Sequence, residues 1–272
     1  MLLEPGEPEP FTIHRADGAS PFVLTCDHAS RTIPRALGDL GLDEAALSSH
    51  IAWDLGAYDA ARALSDALDA PLVASGYSRL VIDANRPLEV AASIPAVTCD
   101  IPVPGNASLR EVDRRARQDA CFWPYHRAIE RVLAARDARD QESVILAVHS
   151  FTPSLYGKDR PWHVGLLFGV DRRLADAFNE ALAGATLAPG EPLVVGMNEP
   201  YFISPGTDYG VPTYAERAGR LGLLLELRQD LLTGPSTLGG ARSAGGEPSL
   251  LKKVIEIVLA ACPRVLELTR RG

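Results

Sequence analysis

Leu223-Leu224-Leu225-Glu226-Leu227-Arg228 is an apolar run with a carboxylate near its end. Burying an unpaired carboxylate costs several kcal/mol, so a strand that tolerates one ends at a metal, a cation or a reacting group. Two other apolar runs end in the same way, Phe22-Val23-Leu24-Thr25-Cys26-Asp27-His28 and Val144-Ile145-Leu146-Ala147-Val148-His149-Ser150. In an open α/β sheet the carboxyl ends of the strands form the edge at which ligands bind. The three runs therefore predict an α/β fold in which two imidazoles and one carboxylate converge, the core of a metallohydrolase site.

The rest of the chain alternates in the manner of such a fold. Residues 21–26, 71–75, 79–83, 143–149, 163–169, 191–197 and 221–227 read as strands, several without polar alternation, as expected of strands buried on both faces. Apolar positions at helical spacing predict a helix over 54–69. Ser108-Leu109-Arg110-Glu111 has the form of a capping box, which predicts a helix start there, with a break near residue 123 imposed by Pro124 and a second helix to about 136. Asp171 is expected to cap a helix to about 184, and Ser249 to open an apolar C-terminal helix. Segments 1–10 and 231–248, rich in Pro, Gly, Ser and Thr, are expected to be loops or mobile tails. The proline- and glycine-bearing stretches 94–106 and 198–212 are long enough to suggest functional loops.

With 272 residues and no composition break, one domain spanning 1–272 is expected. A net charge of −8 argues against a nucleic-acid binder, and Arg110, Arg114, Arg115 and Arg117 read as a solvated helix face. No apolar run reaches the ~20 residues of a membrane span, and the N-terminal residues lack a signal-peptide pattern, so a cytoplasmic enzyme without a membrane partner is expected. Cys26, Cys99, Cys121 and Cys262 lack the short spacings of a zinc knuckle or redox pair and read as reduced thiols.

Neutral imidazoles suit zinc, and a catalytic zinc takes three protein ligands with a fourth position open. His28 and His149 need a third. Asp54, following Trp53 at a helix start, is either that ligand or a helix cap; Asp27 competes with it, or serves as a partner for Arg31 or as an acid behind the ligands. Asn85 and Arg86, at the end of Ser78-Arg79-Leu80-Val81-Ile82-Asp83-Ala84-Asn85-Arg86-Pro87, offer two donors. Arg86 reads either as a bidentate clamp for a substrate carboxylate or as an ion-pair partner of Asp83 or Asp27, and Arg79 poses the same choice. His126, on a helix after Pro124, is a further residue that could face the cleft.

Taken together, Cys26-Asp27-His28-Ala29-Ser30, Trp53-Asp54, Ser78-Arg79 through Ile82-Asp83 to Asn85-Arg86-Pro87, His149-Ser150-Phe151 and Glu226-Leu227-Arg228-Gln229-Asp230 resemble the N-formylglutamate amidohydrolase family from about residue 20 to about 231. That family is similar in turn to zinc carboxypeptidases and succinylglutamate desuccinylases. The resemblance implies a single α/β domain with a twisted mixed β-sheet flanked by helices, zinc carboxypeptidase-like (phosphorylase/hydrolase-like). It also implies one zinc per chain, with other divalent metals possible, held by His28, Asp54 and His149. Glu226 is the implied catalytic base; Asn85, Arg86 and Arg79 are the implied substrate-binding residues. The position three residues after His28, a ligand glutamate in zinc carboxypeptidases, is Arg31, so the acid ligand must come from Asp54 or, in competition, Asp27. The implied substrate is a small acidic N-acyl amino acid, N-formyl-L-glutamate foremost. The alternatives are a deacylase or carboxypeptidase-like hydrolase of other N-acyl amino acids or peptides, and a non-catalytic amino-acid-binding relative.

Overall fold

A computed structural model describes residues 2–233 and 250–271. Its centre is a seven-stranded mixed sheet built from β1 (Phe11–His14), β2 (Phe22–Cys26), β3 (Leu72–Ser75), β4 (Val144–Phe151), β5 (Val164–Leu167), β6 (Val195–Met197) and β7 (Gly222–Arg228). The order across the sheet is β1-β3-β2-β4-β7-β5-β6. The inner strands β3, β2, β4 and β7 are parallel, whereas β1 runs antiparallel to β3 and β5 antiparallel to β7. The carboxyl ends of the four parallel strands thus share one edge.

The uninterrupted apolar runs follow from helices on both faces. On one face Leu24, Leu146, Val148, Leu223 and Leu225 meet α1 (Ala57–Leu68), α4 (Arg173–Leu182) and α5 (Leu250–Arg271). On the other, Val23, Ile145, Ala147 and Leu224 meet α3 (Trp123–Asp137) through Tyr125, Ala128, Ile129 and Leu133. Each fully buried Leu or Val contributes ~1.5–3 kcal/mol, so both faces anchor the strands firmly. Strand pleating places Glu226 on the same face as Leu224, and His149 on the same face as Ala147.

Several predicted elements differ. Residues 79–83 are not a strand: they turn away from the sheet, and Leu80, Val81 and Ile82 bury against loop and helix residues instead. Side chains replace the missing ladder, since Leu80 O accepts from Asn106 Nδ2 and Val81 O from Arg117 Nη1. Arg117 is accordingly buried, not part of a solvated face, while Arg110 and Arg115 do pair with acids at the surface. The 191–197 stretch splits into Glu191–Pro192, in a separate hairpin, and β6. Ser108 has a left-handed φ of 55°, and helix α2 (Glu111–Arg117) begins after Arg110 with no side-chain cap. The break near residue 123 is present: a π-turn over Gln118–Phe122 joins α2 to α3, which starts at Trp123 with Pro124 in its first turn, where no N–H is needed, and runs to Asp137. Asp171 accepts from Arg173 N–H at the start of α4. Leu231 and Leu232 close a short helix, Gln229–Leu232, instead of starting a loop; residues 234–248 and the Ser249 helix start lie outside the described residues.

Gly56 sets the entry to α1. Its φ is 76°, and a Cβ there would stand 2.5 Å from Leu232 Cβ. Gly56→Ala combines left-handed strain with overpacking and is expected to cost roughly 2–4 kcal/mol. Thermal melts check this; an unchanged Tm would show that the turn relaxes freely.

Candidate active site

The shared strand edge opens into a cleft of about 430 Å³ whose lining includes His28, Asp54, Arg79, Asn85, Arg86, His149 and Glu226. His28 follows β2, His149 lies near the end of β4, and Glu226, near the end of β7, is its register partner. Asp54 comes from the turn before α1. Its side chain is not a helix cap, because Gly56 takes the cap position. Asp54 Oδ2 instead lies 3.3 Å from His28 Nδ1 and 2.9 Å from His149 Nδ1, and accepts from Ser150 N–H at 3.3 Å.

The opposite ring nitrogens are braced by two more acids. His28 Nε2 lies 2.8 Å from Asp83 Oδ1, and His149 Nε2 lies 2.9 Å from Asp27 Oδ2. Asp27 is held in turn by the hydroxyl of buried Tyr125 at 2.5 Å. Such carboxylates fix ring orientation and leave the other nitrogen, here Nδ1, for a metal. The ligating atoms of His28, Asp54 and His149 all lie within 4.8 Å of one another, so this donor set fits a divalent ion. Asp27 faces the far side of His149.

The electrostatics are those of a buried ionic cluster. Burial alone would raise the Asp54 pKa, but the two imidazoles outweigh it and hold the carboxyl well below its usual range. Burial opposes a charge on His149, yet Asp27 and Asp54 push its pKa well up. For His28, burial and Arg79 act downward, while Asp83 and Asp54 leave a net rise. Arg79 donates to Asp83 at 2.6 Å and stands 3.6 Å from Asp54, offsetting the acids. Glu226 is the exception. It is 5% exposed, its Oε2 has no hydrogen-bond partner among the described residues, and burial pushes its pKa up to about 7.

The predicted substrate residues Asn85 and Arg86 line the same cleft. Asn85 Oδ1 accepts from Tyr209 and Gly210 N–H, and its Nδ2 donates to Asp208, so it pins the 207–210 loop beneath the cleft. Arg86 donates to Thr207 O and lies 3.4 Å from Asp208.

The sequence model of the N-formylglutamate amidohydrolase family matches residues 20–233. The chain belongs to this family. Among solved structures, this family member is similar to gene product Atu2144 from Agrobacterium tumefaciens, with a TM-score of 0.88 and 32% identity over 98% of both chains. It also shares its fold with N-formylglutamate amidohydrolase from Ralstonia eutropha JMP134, with a TM-score of 0.70 and 20% identity over 97% of this chain and 100% of that one. No curated protein matches it significantly. Among the described residues, no helix of this amidohydrolase-family chain is long and apolar enough to cross a membrane.

Other cleft residues had no strong sequence signal. Thr98 and Cys99 from one long loop, and Pro200, Tyr201, Phe202, Thr207 and Asp208 from the other, line the cleft. Their loop lengths were the only clue. His50 also lines it; burial, then the charges of Arg79 and Arg160, keep its pKa below the ordinary value. His126, by contrast, is a core residue bonded to Tyr214 and Ala84 O, and burial pushes its pKa down to about 4. Cys26 is fully buried and its thiol is pushed well up, as for an inert structural cysteine.

Proposed function

We propose that the chain is a zinc-dependent amidohydrolase that releases formate from N-formyl-L-glutamate or a related N-acyl amino acid. The observation that carries the reading is the three-donor set of His28, Asp54 and His149 beside the buried carboxylate of Glu226, whose Oε2 has no hydrogen-bond partner among the described residues. In this reading those three residues hold one zinc ion, and other divalent metals fit the same donors. When bound, the ion supplies Lewis acidity, polarising an amide carbonyl and bringing the pKa of water toward ~7.

The protein supplies the remaining chemistry. Glu226, poised near neutrality by burial, accepts a proton from water as its oxygen bonds to the acyl carbon. The same carboxyl returns that proton to nitrogen as the C–N bond breaks, giving formate and the free amino acid. Arg79, Asn85 and Arg86 are assigned to the substrate, with Arg86 facing a carboxylate and Asn85 holding the loop beside it. Asp83 and Asp27 keep both imidazoles oriented with Nδ1 toward Asp54.

A second reading, hydrolysis of longer N-acyl groups, is supported by the cleft volume, which lies within the range for ligands larger than a formyl amino acid. One experiment tests both. Purified protein is assayed for metal content and for formate release from N-formyl-L-glutamate before and after chelation, beside N-acetyl and N-succinyl amino acids and a peptide panel. About one zinc per chain with chelator-sensitive formate release is expected from the three-ligand site. Chelator-sensitive release of a larger acyl group alone would favour the second reading; absence of metal after reconstitution would remove the zinc mechanism.

A further inference from the structure

The arginines lining the cleft, Arg79 and Arg86, and those near it, Arg160 and Arg228, are not equivalent. Arg79 is paired with Asp83, Arg86 lies against Asp208, and Arg228 is paired with Asp230. Arg160 has no carboxylate partner among the described residues. Its Nη1 donates to Tyr201 Oη at 2.9 Å and to Thr152 Oγ1 at 3.2 Å, and both of those residues line the cleft. The guanidinium also stands over the Tyr201 ring, 4.9 Å from its centroid.

These contacts fix the group while leaving much of its capacity unused. A guanidinium carries five N–H donors, and among the described residues the side-chain bonds of Arg160 employ Nη1 alone. The Nε and Nη2 edges remain for a bidentate acceptor. The short hairpin of Ser154–Leu155 and Lys158–Asp159 returns the chain so that Arg160 N–H bonds Pro153 O, which ties the residue to the end of β4 just beyond His149. Arg160 stands directly behind two cleft-lining residues, half-buried and held by neutral groups, and among the described residues it meets no anion, so it is placed to meet one from a ligand.

We propose that Arg160, oriented by Tyr201 and Thr152, binds the second carboxylate of an N-acyl dicarboxylic amino acid, the one not taken by Arg86. This rests on the amidohydrolase reading and adds the residue that makes the substrate an acidic one. It shifts the origin of acidic specificity from Arg86, whose charge is partly met by Asp208, to an arginine outside the sequence motifs.

The test compares N-formyl-L-glutamate with N-formyl-L-glutamine, a near isostere lacking the second charge, in wild type, Arg160→Gln and Arg160→Lys. Arg160→Gln is expected to narrow the preference in kcat/KM for the glutamate compound by about 10- to 100-fold, the scale of one charge-assisted pair, and Arg160→Lys to keep part of it. Turnover of the glutamine compound by each variant reports that it is folded. Equal losses on both substrates, or an unchanged preference, would overturn the proposal and leave the hydrolase reading intact.

Calorimetry with glutarate and its monoamide separates the two claims. If wild type releases no formate, weaker glutarate binding in Arg160→Gln would still support the carboxylate site while the hydrolysis reading fails. Equal glutarate affinity in wild type and variant would overturn the carboxylate site.

Discussion

Glu226→Gln is expected to lower kcat by about 10²- to 10⁴-fold, the contribution of a positioned general base, while leaving the metal content unchanged. The substitution preserves shape, and among the described residues Glu226 makes no ion pair that the exchange would break. It removes the carboxyl proposed to take and return the proton, which stands on β7 as the register partner of His149 and whose Oε2 has no hydrogen-bond partner among the described residues. Steady-state kinetics beside metal analysis check the prediction, and a Gln variant with wild-type turnover would take Glu226 out of the mechanism. The pH profile gives a second check. Burial pushes the Glu226 pKa up to about 7, and a cation held nearby favours the ionised form, so the acid limb of kcat/KM should fall at or below about 7 and disappear in the variant.

The same group leaves a mark on stability. A carboxyl whose folded pKa is raised contributes stability that is fully present below its unfolded pKa and is lost as pH rises through the folded value. Above about pH 7, metal-free protein therefore carries an ionised carboxylate in a buried place. Glu226→Gln should raise the Tm of the metal-free protein at pH 8 more than at pH 5. A strand that would be more stable without its charge is what the apolar run Leu223–Leu227 implied at the outset.

That inference shows why much of the site was legible. Strand-end polar residues interrupt an otherwise continuous apolar pattern, and the parallel sheet brings such interruptions to one edge whatever their separation in sequence. His28, His149 and Glu226 could be read in this way. Asp54 was only half legible, because an acid before a helix has the same local pattern whether it caps the helix or faces the cleft. The difference lies in Gly56, whose left-handed turn takes over the start of α1 and frees the Asp54 side chain.

The false strand at 79–83 has a different cause. Leu80, Val81 and Ile82 form a short apolar run with the right residues, and periodicity cannot distinguish a strand from a buried turn of that length. The carbonyls of Leu80 and Val81 are met by Asn106 and Arg117, distant in sequence and devoid of any local signal. Arg117 was read as solvated for the same reason. Arg160 lay outside every motif, and its importance emerges only from a comparison of arginine partners in three dimensions.

Asp54→Asn is expected to abolish tight metal binding and, with it, turnover. Asp54 is the single anionic member of the donor set, and its Oδ2 is the atom that both Nδ1 nitrogens face. An amide in its place offers a weaker, neutral oxygen to the ion. Asp27→Asn and Asp83→Asn leave all three ligands in place and remove only the carboxylates behind the imidazoles, so they should weaken metal affinity by about 10- to 100-fold. This ordering separates Asp54 from Asp27: a greater loss in Asp27→Asn than in Asp54→Asn would reverse the ligand assignment. Affinity should also fall with pH. In metal-free protein Asp27 and Asp54 push the His149 pKa well up, so a metal must displace a proton that lower pH holds more firmly. Zinc titrations monitored for proton release at two pH values check the point, and proton-free binding near neutrality would show that His149 is already neutral in the metal-free protein.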